Sequence, residues 1–365
     1  MFYDKELRAI KKANRYRIRE VFSEDILDFA SNDYLGLSYN KKLLKKACKR
    51  VSRHKNHSPK SSTLVNGYHL VHKDFEDYIS KINNFSKAIC VGSGFLANLS
   101  IFEALPRRGD LLIFDEEFHA SGMITTNLSK AKVQTFKHND MQDLQEKIKT
   151  FKDISQGRVI IAVEGIYSMS GDMVKKEIFD IANKSNALLV VDEAHSVGVV
   201  GDNLLGVYEY YKIKPQDNHI KMGTLGKALG SYGAYILSSN EIYEYLCNRA
   251  KAIIYTTAPS LLDIALAHEG FLYIEKKKKK IKKKIKKRKD LVKRYFDTNL
   301  QSLILPIQVK SSTDALRIKK NLLVKGFLVG AIRAPTVLKP ILRVIPKINE
   351  KGFKKLLKLI IQEIK

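Results

Sequence analysis

The stretch ALLVVDEAH, from Ala187 to His195, begins with five consecutive apolar residues and ends with ionisable ones. A short uninterrupted apolar run is typical of a strand that is buried on both faces, as in a parallel sheet covered by helices. Asp192 and His195 follow this run, at the carboxyl end of the strand, where ligands bind in open α/β sheets. The stretch therefore predicts an α/β fold with a functional site directly after this strand.

Other parts of the chain extend this sheet. Five more apolar stretches are predicted as strands: Ala88–Gly94, Asp110–Glu116, Arg158–Gly165, His219–Gly223 and Tyr232–Ser239. Three stretches between them repeat apolar residues at i, i+3 and i+4 and are predicted as helices: Phe95–Leu105, Met141–Phe151 and Met173–Ser185. Strands that alternate with helices predict a mostly parallel sheet flanked by helices, in a large domain over residues 41–258.

The two ends of the chain differ from this pattern. The first thirty residues are basic and helix-periodic until Asn32, Asp33 and Gly36 interrupt them. Residues 1–40 are therefore expected to form a helix and a segment that joins a smaller lobe. Beyond Pro259 we expect a long helix and then a small α+β domain, over residues 259–365.

The composition limits the class of protein. The 365 residues are 44% hydrophobic and 28% charged, which indicates a globular protein and excludes wholesale disorder. The longest apolar runs have about ten residues, whereas a membrane-spanning helix needs about 20. The first residues also lack the apolar core of a secretory signal. The chain has three widely spaced cysteines, Cys48, Cys90 and Cys247. This spacing favours reduced thiols in the cytoplasm over a disulfide framework or a metal site.

The chain is strongly basic. Lysine and arginine number 65 against 38 aspartates and glutamates, so the formal net charge is +27. Nucleic acid, an anionic membrane or an acidic protein could bind such a chain, but a lysine-biased composition would also explain the charge. The densest segment is Glu275–Asp290, in which Ile281 and Ile285 would share one helix face. We interpret it as an anion-binding ridge or, preferably, as a solvated helix whose isoleucines pack inward.

Lys227 lies in a glycine-rich segment, GTLGKALG from Gly223 to Gly230, directly after a predicted strand. Glycines permit a tight turn and let a ligand approach the backbone closely. Only Thr224 and Leu225 separate Gly223 from Gly226, whereas a Walker A loop needs four residues there, so a P-loop is excluded. Lys227 is either an amine that condenses with a carbonyl cofactor or a surface lysine in a turn.

Asp192, the acid that follows the apolar run, needs a cationic partner. A carboxylate as deep as Asp192 requires a cation, because burial alone would raise its pKa until it was neutral. The protonated ring nitrogen of pyridoxal 5′-phosphate (PLP) is such a cation, and His195 could donate to the phenolic oxygen of the same ring. The alternatives are a helix cap for Asp192 and an ordinary loop histidine for His195.

A second glycine-rich turn lies in AICVGSGFLA, from Ala88 to Ala97, between a predicted strand and a predicted helix. Backbone N–H groups at a helix N-terminus bind phosphate. The turn also matches the GxGxxA form of the dinucleotide fingerprint, with Asp115 about 20 residues further on. PLP and a nicotinamide cofactor would both place a phosphate here, and with PLP the ring of Phe95 would lie close to the cofactor.

His119 and Ser168 also follow predicted strands. His119 could stack on a planar cofactor ring, although a lone histidine is more often structural or solvated. Ser168 is otherwise a turn residue. Six residues should converge on one side of the sheet: Asp115, His119, Ser168, Asp192, His195 and Lys227. This convergence predicts a site more strongly than any one of them.

Seven motifs then occur in the order found in one family: NDYLGLS, SGFLAN, HAS, EGIYSMSGD, VDEAHSVGVVG, TLGKALG and YTTAPS. In these motifs the chain resembles the α-oxoamine synthases, PLP enzymes of aspartate aminotransferase fold type I. The resemblance covers nearly the whole chain from about Leu7. It implies the fold type I architecture and a homodimer with its active site at the subunit interface. The segment Gly330–Val337, GAIRAPTV, is similar to members of the family that use a pimeloyl thioester.

The resemblance implies residue roles. Lys227 would bind PLP covalently and later take the α-proton of L-alanine, while Asp192 pairs with the ring nitrogen, His195 with the phenolic oxygen and His119 stacks on the ring. Further cofactor contacts would come from Gly94, Phe95, Ser168, Thr224 and, across the subunit interface, Thr257. Substrate contacts would come from His119, Arg17, Arg333 and Thr336. Arg15 or Arg19 could take the role of Arg17 if the motif is aligned differently.

The implied reaction is a decarboxylative condensation of L-alanine with a pimeloyl thioester carried by coenzyme A or an acyl carrier protein. A basic surface would attract an acidic carrier protein. Neither nucleic acid nor a membrane is expected as a partner. The alternatives are a sister synthase that uses another thioester, a nicotinamide dehydrogenase, and a basic binding protein without activity. The dehydrogenase gives Lys227 no role, and the binding protein leaves the clustered loop residues unexplained.

Overall fold

A computed structural model describes residues 2–13 and 15–364 of the chain. The helices of this part are α1 (Asp4–Lys12), α2 (Lys41–Val51), α3 (Leu70–Asn83), α4 (Gly94–Ala104), α5 (Ala120–Thr125), α6 (Met141–Lys152), α7 (Glu177–Lys184), α8 (Val207–Tyr210), α9 (Asn240–Arg249), α10 (Lys251–Ile254), α11 (Leu261–Phe296), α12 (Ser312–Val324) and α13 (Phe353–Ile364). Short 3₁₀ or π turns cover Leu37–Tyr39, Thr63–Gly67 and Thr126–Leu128.

The strands of the same part form three sheets. They are β1 (Leu27–Asp28), β2 (Lys87–Val91), β3 (Leu111–Asp115), β4 (Lys132–Phe136), β5 (Val159–Glu164), β6 (Leu188–Asp192), β7 (His219–Thr224), β8 (Ala234–Ser238), β9 (Leu305–Gln308), β10 (Phe327–Leu328), β11 (Gly330–Ile332) and β12 (Ile341–Val344).

The largest sheet has seven strands in the order β2-β8-β7-β6-β5-β3-β4. The strands from β4 to β7 in this order pair in parallel, and β8 runs antiparallel to both of its neighbours. Strands β3, β5 and β8 are buried at every residue, because helices cover both faces. The expected mostly parallel α/β sheet is confirmed, and all six predicted strands belong to it.

Two local features add detail to the predicted elements. Strand β4 was not predicted, because it is an edge strand with four of its five residues outside the core, and only Phe136 is buried. The first thirty residues are helix-periodic in sequence, but the helix within residues 1–40, α1, ends at Lys12. The segment RYRIR, from Arg15 to Arg19, alternates polar and apolar residues and does not continue a helical face.

The carboxyl-terminal part holds the smaller sheet, β11-β12-β9, which is antiparallel. The short strand β1 pairs in parallel with β10, so the N-terminal segment lies against this part of the molecule. Helix α11 packs into the cores of both sheets, with Ile281 and Ile285 buried against the first and Val292 against the second. The isoleucines of the lysine tract therefore pack inward, as preferred above. The domain boundary at residues 258 and 259 stays a prediction.

Among the described helices, none combines the length and the apolar character that a membrane crossing requires.

Candidate active site

The amine of Lys227 and the ring of His195 lie side by side. Lys227 follows β7 in the glycine-rich loop, and its Nζ is 2.7 Å from Nε2 of His195. The other ring nitrogen, Nδ1, is 2.5 Å from the hydroxyl of Tyr34. Burial, and next the charge of Lys227, hold the pKa of His195 well below its ordinary value, so the ring is neutral. Two hydrogen bonds thus fix the orientation of this ring.

The same environment changes the pKa of the Lys227 amine. Burial lowers the pKa of Lys227 from 10.5 to about 8, although the carboxylate of Asp192 acts against the shift. An amine with such a pKa is partly neutral at physiological pH, and a neutral amine is the form that attacks a carbonyl carbon or accepts a proton. Lys227 is therefore suited to covalent chemistry.

Asp192 ends β6 and is 4% exposed. Its carboxylate accepts hydrogen bonds from the side-chain amide of Asn98, at 3.2 Å, and from the backbone N–H of Ala194, at 3.0 Å. Within residues 2–13 and 15–364 Asp192 makes no salt bridge. A buried carboxylate with hydrogen bonds but no cation fits a ligand that brings the positive charge.

His119 connects to Asp192 through a short chain of hydrogen bonds. Its Nδ1 is 2.7 Å from the hydroxyl of Ser121, which accepts from Asn98 at 2.8 Å, and Asn98 also reaches Asp192. His119 caps the first turn of α5 and its side chain remains exposed. The ring lies at the mouth of the site, as a residue that covers a cofactor ring would.

Glu164 is a second acid of the site, which the sequence analysis missed. It ends β5 directly beside Asp192 of β6 in the sheet register. One carboxylate oxygen accepts from the N–H of Ser168 at 3.1 Å, and the other, Oε1, is buried without a hydrogen-bond partner among the described residues. Burial, and next the charge of Asp192, raise its pKa well above the ordinary value. This shift favours the protonated form of Glu164. The sequence pattern that predicted Asp192, an acid at the end of an apolar strand, is also present at Glu164 and could have predicted it.

Arg343 is a cation that the sequence analysis also missed. It lies on β12 of the small sheet, is 6% exposed, and donates from Nε to the carbonyl of Ser168 at 2.7 Å and from Nη1 to Asn32 at 2.9 Å. Its Nη2 is buried and has no hydrogen-bond partner in the described part of the chain. An unpaired guanidinium nitrogen at this place fits a carboxylate ligand. A single charged residue in the apolar stretch ILRVI was the available signal.

The predicted phosphate-binding part of the site lies at the N-terminus of α4. The hydroxyl of Ser93 accepts from the N–H of Leu96 at 3.2 Å and caps this helix. A Cβ built on Gly94 would be 4.0 Å from the Cβ of Thr224, which places the helix N-terminus beside the loop of Lys227. Phe95 is 45% exposed at the same end. The first N–H groups of a helix lack partners within it and suit a phosphate.

Three predicted substrate residues lie around a small cavity that none of the site residues described above lines. Arg17, Arg333 and Thr336 line a space of about 160 Å³, and Arg15 lines it too. Arg333 donates to the carbonyl of Tyr16 at 3.4 Å, which holds the N-terminal segment against this cavity. The choice between Arg15 and Arg17 therefore stays open. Thr257 is exposed in the single chain, and its role toward a partner subunit stays a prediction.

Asp115 does not take part in the site. Its carboxylate accepts from Nδ1 of His138 and from the N–H of Asn139, each at 2.9 Å. These contacts tie the end of β3 to the following segment and leave Asp115 no role toward a dinucleotide ribose. As expected, Asp115 lies at the same carboxyl edge of the parallel strands as the other loop residues, but its hydrogen bonds go to the segment that follows β4.

Comparison with known proteins agrees with this geometry. The model of the family "aminotransferase class I and II" matches residues 24–360. The chain belongs to this family, and the resemblance to PLP enzymes of fold type I is confirmed. A serine palmitoyltransferase solved with PLP superposes with a TM-score of 0.88 at 21% identity, over 99% of this chain and 97% of that one, which shows the fold alone.

More similar relatives narrow the group. An 8-amino-7-oxononanoate synthase of Helicobacter pylori is 43% identical over 343 residues, which cover 94% of this chain and 91% of the relative. The crystal structure of an 8-amino-7-oxononanoate synthase from Francisella tularensis has a TM-score of 0.78 at 28% identity, over 94% of this chain and 97% of that one.

Proposed function

We propose that this protein is a PLP-dependent 8-amino-7-oxononanoate synthase. It condenses L-alanine with a pimeloyl thioester and releases CO2 and the free thiol carrier, a step of biotin biosynthesis. The observation that carries the proposal is the contact of Lys227 with the buried His195, near the buried Asp192, in a chain that is 43% identical to a relative of that name. A cytoplasmic location, expected from the widely spaced cysteines, is part of the same proposal.

The residues fit the cofactor. Asp192 offers a buried carboxylate that makes no salt bridge with any described residue, Lys227 an amine with a pKa of about 8, and α4 a helix N-terminus for the phosphate. When bound, PLP withdraws electrons from the α-carbon of an attached amino acid and so stabilises the carbanion left after proton removal. Gly94, Phe95, Ser168 and Thr224 would surround it, and His119 would cover its ring.

The chain's own residues supply the proton chemistry. The neutral amine of Lys227 takes the α-proton of L-alanine at Nζ, and Nε2 of His195, 2.7 Å away, fixes the direction of that amine. Asp192 stabilises the proton on the ring nitrogen of the cofactor. Nη2 of Arg343, which is buried and has no hydrogen-bond partner among the described residues, binds the carboxylate of the amino acid.

A second copy of the chain would complete the site. Exposed apolar side chains lie near Thr257 in the structure, among them Leu64 at 51% exposure, Val65 at 77% and Tyr255 at 80%. The hydroxyl of Ser62 donates to the carbonyl of Ile254, so these two segments form one surface. Burial of such a surface favours association. We propose a homodimer in which Thr257 reaches the cofactor phosphate of its partner.

The acyl donor is chosen elsewhere in the protein. Arg333, Thr336 and Arg17 or Arg15 would contact the pimeloyl thioester in their small cavity. The net charge of +27 would attract an acidic acyl carrier protein or the phosphates of coenzyme A. A sister synthase with an acetyl or succinyl donor has the same catalytic group, so only the donor distinguishes it.

One assay tests the proposal. The purified protein, reconstituted with PLP, is given L-alanine with pimeloyl-, acetyl- or succinyl-coenzyme A, and CO2 and free thiol are measured. We expect turnover that is fastest with the pimeloyl donor. Turnover with acetyl- or succinyl-coenzyme A alone would assign a sister synthase, and failure to bind PLP would reject the enzyme class.

A further inference from the structure

A large cleft in the described part of the chain lies apart from the predicted active site. It has a volume of about 760 Å³, which lies in the usual range of small-molecule sites. Its walls are Met173, Val199–Gly201, Asp202, Leu204, Tyr210, Tyr211, the lysine tract of α11 and Asn299–Gln301. No residue predicted above for the cofactor or substrate lines it. The cleft is therefore separate from the predicted active site.

One wall of the cleft is a row of cations. Lys282, Lys286, Lys289 and Lys293 follow one another at intervals of four, three and four residues and so share a face of α11. Lys282 pairs with Asp202 at 2.9 Å, and Lys289 donates to the carbonyl of Gln301 at 2.7 Å. The ammonium groups of Lys286 and Lys293 make no hydrogen bond or ion pair with any described residue. With Asp290 as the only other acid of the wall, the cleft keeps an excess of positive charge.

The opposite wall is apolar and aromatic. Val199, Val200 and Leu204 are buried side chains of the loop that follows His195. The hydroxyl of Tyr211 donates to the carbonyl of Val174 at 2.7 Å, which fixes that ring. The neighbouring ring of Tyr210 is 53% exposed and lines the cleft, so a flat ligand can contact it.

We propose that this cleft binds a small organic phosphate with a flat ring, of the class of a nucleoside diphosphate. Lys286 and Lys293 bind the phosphates, since lysine ammonium groups suit phosphate oxygens as point charges. The ring system stacks on Tyr210 and displaces water from the apolar wall. The inference concerns a second site and is independent of the proposed activity.

The test measures ADP binding to the PLP-loaded protein by titration calorimetry at fixed ionic strength. The cleft variant carries Lys286→Glu and Lys293→Glu. The matched control carries Lys283→Glu and Lys287→Glu, which change the net charge equally on an exposed face of α11 that does not line the cleft. A third variant, Tyr210→Ala, removes the stacking ring and leaves the charge unchanged. Inorganic pyrophosphate serves as the ligand without a ring.

We expect one saturable ADP site in the unmodified protein, binding weakened at least about tenfold in the cleft variant, and a change below about twofold in the control. Tyr210→Ala should weaken ADP and leave pyrophosphate unchanged. The proposal is overturned if ADP does not saturate, if both charge variants lose affinity equally, or if pyrophosphate binds as tightly as ADP. Should the cleft variant fail to fold, the Tyr210→Ala comparison decides alone.

Discussion

The amine of Lys227 lies 2.7 Å from Nε2 of His195, and the hydroxyl of Tyr34 fixes that ring from the other side. The direction of the amine is therefore set by the folded chain before any ligand binds. Such preorganisation limits the rearrangement that the amine must undergo during proton transfer.

Lys227→Arg should abolish the reaction and leave the fold intact. The guanidinium keeps the positive charge, but it neither condenses with an aldehyde nor gives up its proton at neutral pH. We expect turnover to fall by at least about a thousandfold, because covalent attachment and proton removal are lost together. Borohydride treatment followed by mass analysis should find the cofactor attached to Lys227 in the unmodified protein and nowhere in the variant. Attachment to another lysine would contradict the assignment.

The pH dependence of cofactor capture follows from the low pKa of the amine. Burial lowers the pKa of Lys227 from 10.5 to about 8, and only the neutral amine attacks. The rate at which the apoprotein captures PLP should rise about tenfold per pH unit below pH 8 and level off above it. Stopped-flow absorbance measures this rate. A rate that keeps rising to pH 10 would show an ordinary lysine.

Asp192→Asn tests the acid under the cofactor. The amide keeps the shape of the side chain and removes the charge, so the variant should still fold and bind PLP. Turnover should fall about a hundredfold to a thousandfold, the usual loss when a fixed electrostatic partner is removed. Asp202→Asn, at an exposed acid, is the control and should retain full turnover. Equal turnover in both variants would remove Asp192 from the mechanism.

Arg343→Lys tests the proposed contact with the amino acid. Lysine keeps a positive charge but cannot donate to Ser168, Asn32 and a ligand in the same fixed geometry. The KM for L-alanine should rise about tenfold to a hundredfold, and the KM for the thioester should change little. Arg158→Lys, at a partly exposed ion pair with Asp110, is the control. A change confined to the thioester would place Arg343 at the other substrate.

His138 should make the stability of the fold depend on pH. Burial lowers its pKa, but hydrogen bonds to Asp115 and Asp172 outweigh burial and raise the value from 6.5 to about 10. A folded pKa above the unfolded one means that this stabilisation is complete below pH 6.5 and is lost as the pH rises toward 10. The contribution is roughly 2 to 4 kcal/mol after allowance for the exposed edge of the ring. Urea unfolding at pH 6 and pH 9.5 should show a smaller difference for His138→Asn than for the unmodified protein.

The sequence predicted the centre of the sheet better than its margins. Strands such as β5 and β6 are continuous apolar runs and could be recognised locally, whereas β4 at the edge has mostly partly exposed residues. Lys227, Asp192 and His195 were found because each directly follows a strand. The contacts between these three side chains could not be predicted, because they depend on how the strands are aligned in the folded sheet.

Residues that reach the site from far away in sequence were missed. Arg343 comes from the small sheet, and only the packing of that sheet against the loop of Ser168 brings it close. Tyr34 reaches His195 from 161 positions earlier in the chain. Nothing in a local pattern gives such contacts, because they depend on how the two sheets pack together.

Helix α11 has a mechanical consequence. Its 36 residues form a rod about 54 Å long, whose first part adds buried side chains to the core of the seven-stranded sheet and whose Val292 lies in the core of the three-stranded one. A continuous helix of this kind resists bending, so the two halves of the chain have no hinge between them along this rod. Any opening that admits substrate must then come from loops and from the N-terminal segment. For the same reason neither half can melt without exposing the buried side chains of α11, and heating should unfold the chain in a single transition.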